Sequence, residues 1–248
     1  MSGWSFRQSA QLKRFLPLTM GIFFAVSIII VWASHLAYMF LFVEFSATNP
    51  FMYFHILLQG WLYTGLFITG HDAMHGTITR NKFLNNLLGN IATFLFAAMS
   101  YKRLRKNHGL HHKAPATGED PDFYVKSQNF FLWWGIFMWR YVTILQLIIM
   151  AAAYNVFIHL LGLGQLKVII YWALPAILGT LQLFYFGVYW PHREPHLAHM
   201  MPHRARTLRK NHFWAMVSCY FFGYHFEHHD DQFVPWWQLH KAKAQIKG

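Results

Sequence analysis

Residues 51–76 read FMYFHILLQGWLYTGLFITGHDAMHG, an apolar run that ends in two histidines, His71 and His75. A helix needs about 20 consecutive apolar residues to cross a bilayer, so this stretch predicts a membrane span. The two histidines are four positions apart, which places both imidazoles on one face of a helix that continues the span. A zinc protease motif would need Glu after the first histidine, and Asp72 stands there instead.

The composition points to a membrane protein. Of the 248 residues, 55% are hydrophobic, 19% are aromatic and only 12% are charged, which lies outside the usual range of soluble domains. The formal net charge is +12, but the basic residues flank apolar runs, so they indicate membrane topology and we expect no nucleic-acid partner. Cys219 is the single cysteine, so any bound metal needs other ligands.

Four apolar runs are long enough to cross a bilayer of about 30 Å as helices. They predict an all-α integral membrane protein with about four transmembrane helices in two hairpins, forming a single membrane domain over residues 1–248. The expected spans are residues 18–43, 51–70, 130–154 and 168–190, and the expected cytoplasmic helical cap comprises residues 71–129 and 191–248. The first run is too long for the apolar part of a signal peptide, so we expect it to be a retained span.

The distribution of lysine and arginine predicts the orientation of the spans. Of the 21 basic residues, three precede the first span, eight lie in residues 71–129 and eight follow residue 190. By the positive-inside rule, both termini and the long middle segment of this multi-pass protein are cytoplasmic. Residues 84–99 are also apolar, but a crossing there would separate the histidines before it from those after it. We therefore expect a re-entrant or interfacial helix at 84–99.

Two further groups of histidines share the spacing His-x-x-His-His. They are His108, His111 and His112, and His225, His228 and His229. On a helix the first histidine of each group neighbours both others, whereas the adjacent pair diverges by about 100°, so that one turn can serve two metal ions. Together with His71 and His75, these eight histidines exceed the four to six ligands of one ion. The sequence therefore predicts a two-metal centre in the cap, although imidazole suits Fe, Zn, Cu and Ni alike.

Other residues near these groups complete the candidate site. His192, in the stretch YWPHR at 189–193, follows the fourth span and is a candidate ninth ligand. Acidic residues near the clusters can accept the second ring N–H of a ligating histidine and so fix its tautomer, or they can cap helices and pair with nearby lysines and arginines. These residues are Asp72, Asp120, Asp122 and Glu227. The remaining histidines, His203 among them, are not expected to be ligands. Those within or at the ends of spans, His35, His55 and His159, are expected to hydrogen-bond between helices or lie at the interface.

The three groups, in the order HxxxH, HxxHH and HxxHH, resemble those of the membrane fatty-acid desaturase and hydroxylase superfamily. Within it, the sequence is most similar to bacterial and cyanobacterial β-carotene ketolases. The matching stretches are TGLFITGHDAMHG at 64–76, YK at 101–102, NHGLHH at 107–112, DPDF at 120–123, QLFYFG at 182–187, PHR at 191–193, GYHFEHH at 223–229 and PWW at 235–237. The resemblance therefore extends from residue 64 to residue 237.

The resemblance implies a non-haem di-iron oxygenase that introduces a keto group at C4 of a β-ionone ring. In this family two successive hydroxylations of one carbon give a geminal diol that loses water, which converts β-carotene to echinenone and canthaxanthin. Two iron ions (Fe2+), O2, an external electron donor such as ferredoxin or another reductase, and a carotenoid taken from the membrane lipid are implied. The eight motif histidines and His192 match the family's iron ligands. A cap rich in aromatic residues, including Phe123, Tyr124, Trp236 and Trp237, is a candidate to close over the ring. The Trp pair fits an anchor at the membrane interface at least as well.

Three other functions fit parts of the same pattern. A fatty-acyl or other lipid desaturase or hydroxylase shares the metal site. A haem-binding membrane subunit needs histidines that face each other within paired spans, and a membrane metal transporter needs polar groups through the membrane interior. The chain also departs from the family at Phe221, where histidine is common, and at residues 113–115, KAP, where His-Pro is common. Phe221 cannot ligate a metal.

Overall fold

The computed structural model describes residues 20–246, which form helices and turns and contain no strand. The helices are α1 (Met20–Phe42), α2 (Pro50–His75), α3 (Lys82–Ala97), α4 (Tyr101–Lys113), α5 (Phe130–Tyr141), α6 (Ile144–Leu160), α7 (Gln165–His192), α8 (His212–Cys219), α9 (His225–Asp230) and α10 (Leu239–Ile246). The prediction of an all-α protein is confirmed for these residues. The expectations for residues 1–19 lie outside the described part of the chain.

Three of these helices, α1, α2 and α7, are long and apolar enough to cross a membrane. They correspond to three of the four expected spans. Apolar side chains stand exposed on their outer surfaces, as Phe23 (61%) and Leu41 (66%) do on α1. Such surfaces suit contact with lipid tails, and the chain is accordingly a membrane protein.

The remaining expected span, residues 130–154, is not one straight helix. Helices α5 and α6 meet at an angle of 92°. Val142 and Thr143 between them have extended backbones, and the Thr143 hydroxyl accepts a hydrogen bond from the Gln146 backbone N–H at 3.1 Å. Threonine is a favoured residue at helix starts for this reason. The predicted second hairpin therefore stays a prediction, because a bent pair of apolar helices fits either a broken span or a re-entrant loop.

The apolar segment 84–99 lies mostly in α3, which ends at Ala98 in the left-handed conformation, with φ of 52°. Helix α4 then continues at 99° to α3. As a result His75, before α3, and His108, after it, come together with their Nε2 atoms 2.7 Å apart. The segment thus does not separate the histidine groups, as expected. Whether it is re-entrant or interfacial stays a prediction.

Helix α2 is central and packs against α1, α3 and α7. At the crossing with α7, a Cβ atom on Gly179 would lie 3.1 Å from the Tyr63 Cβ and 3.2 Å from the Gly60 carbonyl oxygen. Glycines at this crossing let the two backbones approach closely. One turn further along, the Thr64 hydroxyl donates a hydrogen bond to the Gln182 side-chain oxygen at 2.5 Å. The crossing fixes α2 against α7, and both helices end in histidines, at residues 75 and 192.

Two of the single histidines within the spans contact each other. The Nε2 atom of His35 on α1 lies 3.1 Å from the Nδ1 atom of His55 on α2, and the Nδ1 atom of His35 lies 2.5 Å from the Gln59 side-chain oxygen. Hydrogen bonding between helices is therefore confirmed for this pair.

Candidate metal centre

Nine histidine side chains converge at the ends of α2 and α7 and on α4 and α9. They form two groups, and within each group the ligand atoms all lie within 4.8 Å of one another. The first group contains His71, His75, His108, His112 and His228, and the second contains His111, His192, His225 and His229. These are the nine residues that the sequence predicts as ligands. Their role as ligands stays a prediction, but the fold brings them together in two sets.

Each His-x-x-His-His motif contributes to both groups. On α4, His112 belongs to the first group and His111 to the second; on α9, His228 belongs to the first and His229 to the second. Adjacent residues on a helix point about 100° apart, so the two members of each pair face different groups. Helices α4 and α9 therefore link the two groups.

The spacing of the ring nitrogens fits metal coordination. In the first group, the Nε2 atom of His228 lies 3.1 Å from that of His71 and 3.0 Å from that of His112. In the second group, the Nε2 atoms of His111 and His229 are 3.1 Å apart. Two nitrogens that each bind an ion at about 2.1 Å, at right angles to each other, lie about 3.0 Å apart. The donor sets therefore suit a first-row metal ion in each group.

The histidines of α9 are held in the neutral form that metal binding requires. His225 and His228 are each 1% exposed, and His229 is 7% exposed. Burial, and after it the charges of neighbouring imidazoles, lower the pKa of all three well below the ordinary value. A metal ion therefore does not have to displace a proton from these rings at neutral pH.

His192 is oriented toward the second group by a backbone carbonyl. Its Nδ1 atom donates a hydrogen bond to the Arg204 carbonyl oxygen at 3.0 Å, and its ring centroid lies 4.8 Å from that of His111 and 4.9 Å from that of His225. The Nε2 atom is buried and has no hydrogen-bond partner among the described residues. With the proton fixed on Nδ1, the lone pair of Nε2 is available to a metal. Sequence reasoning did not identify the Arg204 carbonyl, because a backbone acceptor has no sequence signal.

Asp120 accepts the second ring N–H of His111. The Nδ1 atom of His111 lies 2.9 Å from the Asp120 Oδ2 atom, which also accepts the Ala116 backbone N–H at 2.8 Å, and the Oδ1 atom accepts the Asp122 backbone N–H at 2.8 Å. Burial by itself raises the pKa of Asp120, but the charge of His111 and the hydrogen bond to it hold the pKa below its ordinary value. This carboxylate thus has the contact that the sequence predicts for it.

Asp122 lies further than Asp120 from the His111 ring. Its Oδ2 atom is 3.8 Å from the His111 Nδ1 atom, and its Oδ1 atom accepts a short hydrogen bond from the Tyr141 hydroxyl. Burial is the largest cause that raises the pKa of Asp122 to about 6. The Trp133 indole N–H donates to the Asp122 carbonyl oxygen at 2.8 Å. Sequence reasoning missed both Tyr141 and Trp133, since nothing in a run of aromatic residues marks the two that donate hydrogen bonds to a distant aspartate, one to its carboxylate and one to its backbone carbonyl.

The other two predicted acceptors behave differently from each other. Asp72 lies 3.5 Å from the Nδ1 atom of His71 and also accepts the Trp236 backbone N–H at 3.0 Å, which ties the carboxyl-terminal segment to α2. Within residues 20–246, Glu227 makes no hydrogen bond to a histidine ring, and its carboxylate lies 3.8 Å from the Lys243 Nζ atom. The role predicted for Glu227 therefore stays a prediction. Two residues along a helix correspond to a rotation of roughly 200°, which directs Glu227 away from the face that carries His225.

The chain reverses direction just before α9. Tyr220 and Phe221 both have positive φ, 48° and 61°, a conformation that costs about 1–2 kcal/mol for each residue with a side chain. The reversal turns the Phe221 ring away from both histidine groups and toward His240, at a centroid distance of 5.2 Å. The next ring, Phe222, packs against His71 at 4.8 Å instead. Phe221 thus occupies no ligand position.

An apolar cavity adjoins both histidine groups. Its aromatic lining consists of Phe67, Phe96, Phe137, Tyr141, Phe184 and Phe222, and its histidine lining of His71, His108, His111 and His225. The four aromatic residues expected to close over the ring do not line this cavity. Trp236 packs in the core against Phe24 at 5.4 Å, and Phe123 packs against Trp133 at 5.0 Å. His203 also lies outside both groups, with its Nε2 atom 3.5 Å from Asp230.

Comparison with known proteins identifies a family model and several relatives that match the chain. The family model described as Fatty acid desaturase matches residues 48–147 and 134–248. A beta-carotene ketolase of Haematococcus lacustris is 41% identical over 186 residues, which cover 72% of this chain and 58% of the relative. A zeaxanthin 4-ketolase of Chlamydomonas reinhardtii is 35% identical over 246 residues, which cover 92% of this chain and 54% of the relative. No solved structure matches the chain significantly.

The extent of these matches decides the family. The chain spans little more than half the length of the two algal relatives, at 54% and 58%. A beta-carotene ketolase of Paracoccus sp. (strain N81106 / MBIC 01143) is 34% identical over 187 residues, which cover 75% of this chain and 76% of the relative. The family model matches well over half of the chain, including all nine histidines of the two groups. The chain therefore belongs to the fatty acid desaturase family, in the group that contains the β-carotene ketolases.

Proposed function

We propose that the protein is a carotenoid 4-ketolase that oxidises C4 of the β-ionone rings of β-carotene to give echinenone and canthaxanthin. The observation that carries the proposal is the apolar cavity that reaches both histidine groups. A carotenoid end ring is apolar and enters from the lipid, so it needs an apolar cavity within the helices and a reactive group at the end of that cavity. Membership of the group that contains β-carotene ketolases supports the same substrate.

The proposed chemistry is two hydroxylations of one carbon followed by loss of water. Each hydroxylation consumes O2, two electrons and two protons and releases one water molecule, so an external electron donor is required. We propose two iron ions as the metal, held by the nine histidines of the two groups. When bound, iron supplies the redox chemistry that reduces O2 and oxidises the C–H bond. The chain itself excludes water through the apolar lining and holds the ring next to the histidines.

The outer face of α4 is suited to bind an acidic electron donor such as a ferredoxin. Lys102, Arg105 and Lys106 are exposed on this helix, whose buried face carries three of the histidines. Complementary charge speeds the encounter of two proteins. We expect Lys102→Glu with Lys106→Glu to lower the rate with a limiting acidic donor by about tenfold at low salt, measured as product formation in isolated membranes. Lys241→Glu, which reverses one such charge on α10, is the control for Lys102→Glu alone; an equal loss in these two single variants would remove this face as the docking site.

The proposed orientation places the histidine groups and both termini on the cytoplasmic side of a multi-pass protein. It is supported by the eight basic residues within 71–129 and the eight after residue 190. A reporter fused to the loop between α1 and α2, residues 43–49, is expected to report an external location, and one fused near Lys102 a cytoplasmic location. The opposite pair of results would invert the topology.

Product analysis in a host that accumulates β-carotene tests the proposed function. The unaltered protein is expected to yield echinenone and canthaxanthin, whereas His111→Ala and His228→Ala, one from each group, are expected to yield neither. His199→Ala changes an exposed histidine outside both groups and is expected to keep full activity. Unchanged carotenoids accompanied by altered fatty-acid unsaturation would instead favour the lipid desaturase alternative, which the family model also includes.

A further inference from the structure

Gln146 is a polar residue in the lining of an otherwise largely apolar cavity. It lies in the first turn of α6, is 8% exposed and lines the cavity beside the histidine groups. Its carboxamide makes no hydrogen bond to any other group within residues 20–246. An amide that faces an apolar cavity with no hydrogen-bond partner in the protein is energetically unfavourable. Such a group in a ligand cavity indicates that the ligand supplies the missing hydrogen bonds.

The other polar groups of the lining are already engaged. The Thr180 hydroxyl donates to the Ile177 carbonyl oxygen at 2.7 Å, and the Tyr141 hydroxyl donates to Asp122. The histidines of the lining belong to the two candidate metal groups. Within the described lining, Gln146 is therefore the side chain with both an unused donor and an unused acceptor.

The break between α5 and α6 fixes the position of Gln146. Its backbone N–H donates to the Thr143 hydroxyl, and α6 leaves α5 at 92°. The first turn of α6 is thereby anchored against the cavity, while Ile144 and Leu145 beside it are 79% and 66% exposed. The turn thus directs the polar residue inward and apolar residues outward, the reverse of the pattern expected at a protein surface in water.

We propose that the Gln146 carboxamide binds a hydroxyl group on the end ring of the carotenoid. This inference rests on the proposed function, because a ring that has been oxidised once at C4 carries such a hydroxyl, as does a ring hydroxylated at the adjacent C3. A hydroxyl can donate to the amide oxygen and accept from the amide N–H. The unsubstituted ring of β-carotene offers neither. Gln146 thus favours hydroxylated rings and retains the singly hydroxylated ring for the second oxidation.

The test compares Gln146→Met, which keeps the length of the side chain but removes its hydrogen bonds, with Thr180→Val on the same lining. The substrates are β-carotene and its 3-hydroxylated and 4-hydroxylated derivatives, supplied to isolated membranes. Gln146→Met is expected to lower kcat/KM for hydroxylated rings by about tenfold, the effect of one lost neutral hydrogen bond, and to leave the first oxidation of β-carotene within about twofold. The 4-hydroxylated intermediate then accumulates. Thr180→Val is expected to leave the ratio of substrates unchanged.

The derivative that loses turnover identifies the hydroxyl that Gln146 binds, and a loss with either one supports the proposal. An equal change for hydroxylated and unsubstituted rings, or the same selective loss in Thr180→Val, would overturn it. Substrate binding can also be measured without turnover, through quenching of tryptophan fluorescence. In this assay the unaltered protein is expected to prefer hydroxylated rings, and the preference is expected to vanish in Gln146→Met. A preference that persists in Gln146→Met would also overturn the inference. Gln146→Leu replaces Gln146→Met if the latter does not fold. Absence of any ketone from the unaltered protein would refute the proposed function instead.

Discussion

Replacing Asp120 by asparagine is expected to weaken metal retention at the second histidine group with almost no change in side-chain size. The Oδ2 atom of Asp120 accepts N–H groups of His111 and Ala116, and the Oδ1 atom accepts that of Asp122, at distances of 2.8–2.9 Å. Asparagine has only one side-chain oxygen. In either orientation of the amide, at least one of the three N–H groups therefore faces another donor.

The expected losses of metal affinity and of stability in Asp120→Asn follow from these contacts. Removing the acceptor of a metal-ligating histidine typically lowers metal affinity or activity by about 10- to 100-fold. Leaving a buried N–H without an acceptor costs about 1–3 kcal/mol of stability. If the amide turns so that His111 keeps its acceptor, the Asp122 N–H loses its own, and the loss of stability then exceeds the loss of metal affinity. Measurements of metal affinity and of stability together identify the orientation of the asparagine amide.

Metal content per chain, measured by mass spectrometry over a series of chelator concentrations, tests the expectation on the purified protein in detergent. Glu119→Gln, which neutralises the exposed neighbouring carboxylate, is the control and is expected to behave like the unaltered protein. Thermal unfolding of the same samples provides the stability difference. If Asp120→Asn retained metal as well as the unaltered protein at every chelator concentration and unfolded at the same temperature, the reasoning from this carboxylate would be refuted.

Two further substitutions test the site and the fold. His192→Ala is expected to reduce the metal content from two ions per chain to about one, because the second group then keeps three histidines. The control, His196→Ala, is expected to retain both ions. Equal metal contents in the two variants would contradict the assignment of His192 as a ligand. Gly21→Ala is expected to destabilise the protein by about 1–3 kcal/mol, since its Cβ would lie 2.2 Å from the Ile78 carbonyl oxygen. Thermal unfolding beside Gly135→Ala, where nothing lies within 4 Å of the new Cβ, provides the comparison, and equal melting temperatures would contradict the proposed close contact.

Which histidines of one motif share a group was predictable because it depends on helix geometry. The period of an α-helix fixes which of the residues three, four or one apart share a face. The division of His111 from His112 and of His228 from His229 between two groups follows from that period. The joining of the three motifs also followed from a topological argument, since only a segment 84–99 that returns to the same side lets His75 meet His108.

The interactions that position the site were less predictable because they depend on tertiary structure. The bend at Val142 and Thr143 interrupts a run that is apolar on both sides, so hydropathy gave no sign of it. The backbone carbonyl of Arg204, which orients His192, has no counterpart in the sequence. Trp236 was expected beside the substrate, yet its backbone N–H binds Asp72 and its ring enters the core. Aromatic residues suit both environments equally, so residue type alone did not distinguish them.

Because α4 and α9 each contribute histidines to both groups, the amount of the protein in the cell is expected to depend on metal supply. Helix α9 has only six residues, too few for an isolated helix to be stable in water, and its histidines meet partners from α2, α4 and α7. Ions bound to both groups would join four helices into one cross-linked unit, and metal binding would then contribute directly to folding. Newly made chains that lack metal are then expected to leave the region around α9 accessible to proteases. Metal supply would thus govern how much of the protein persists, in addition to how fast it works.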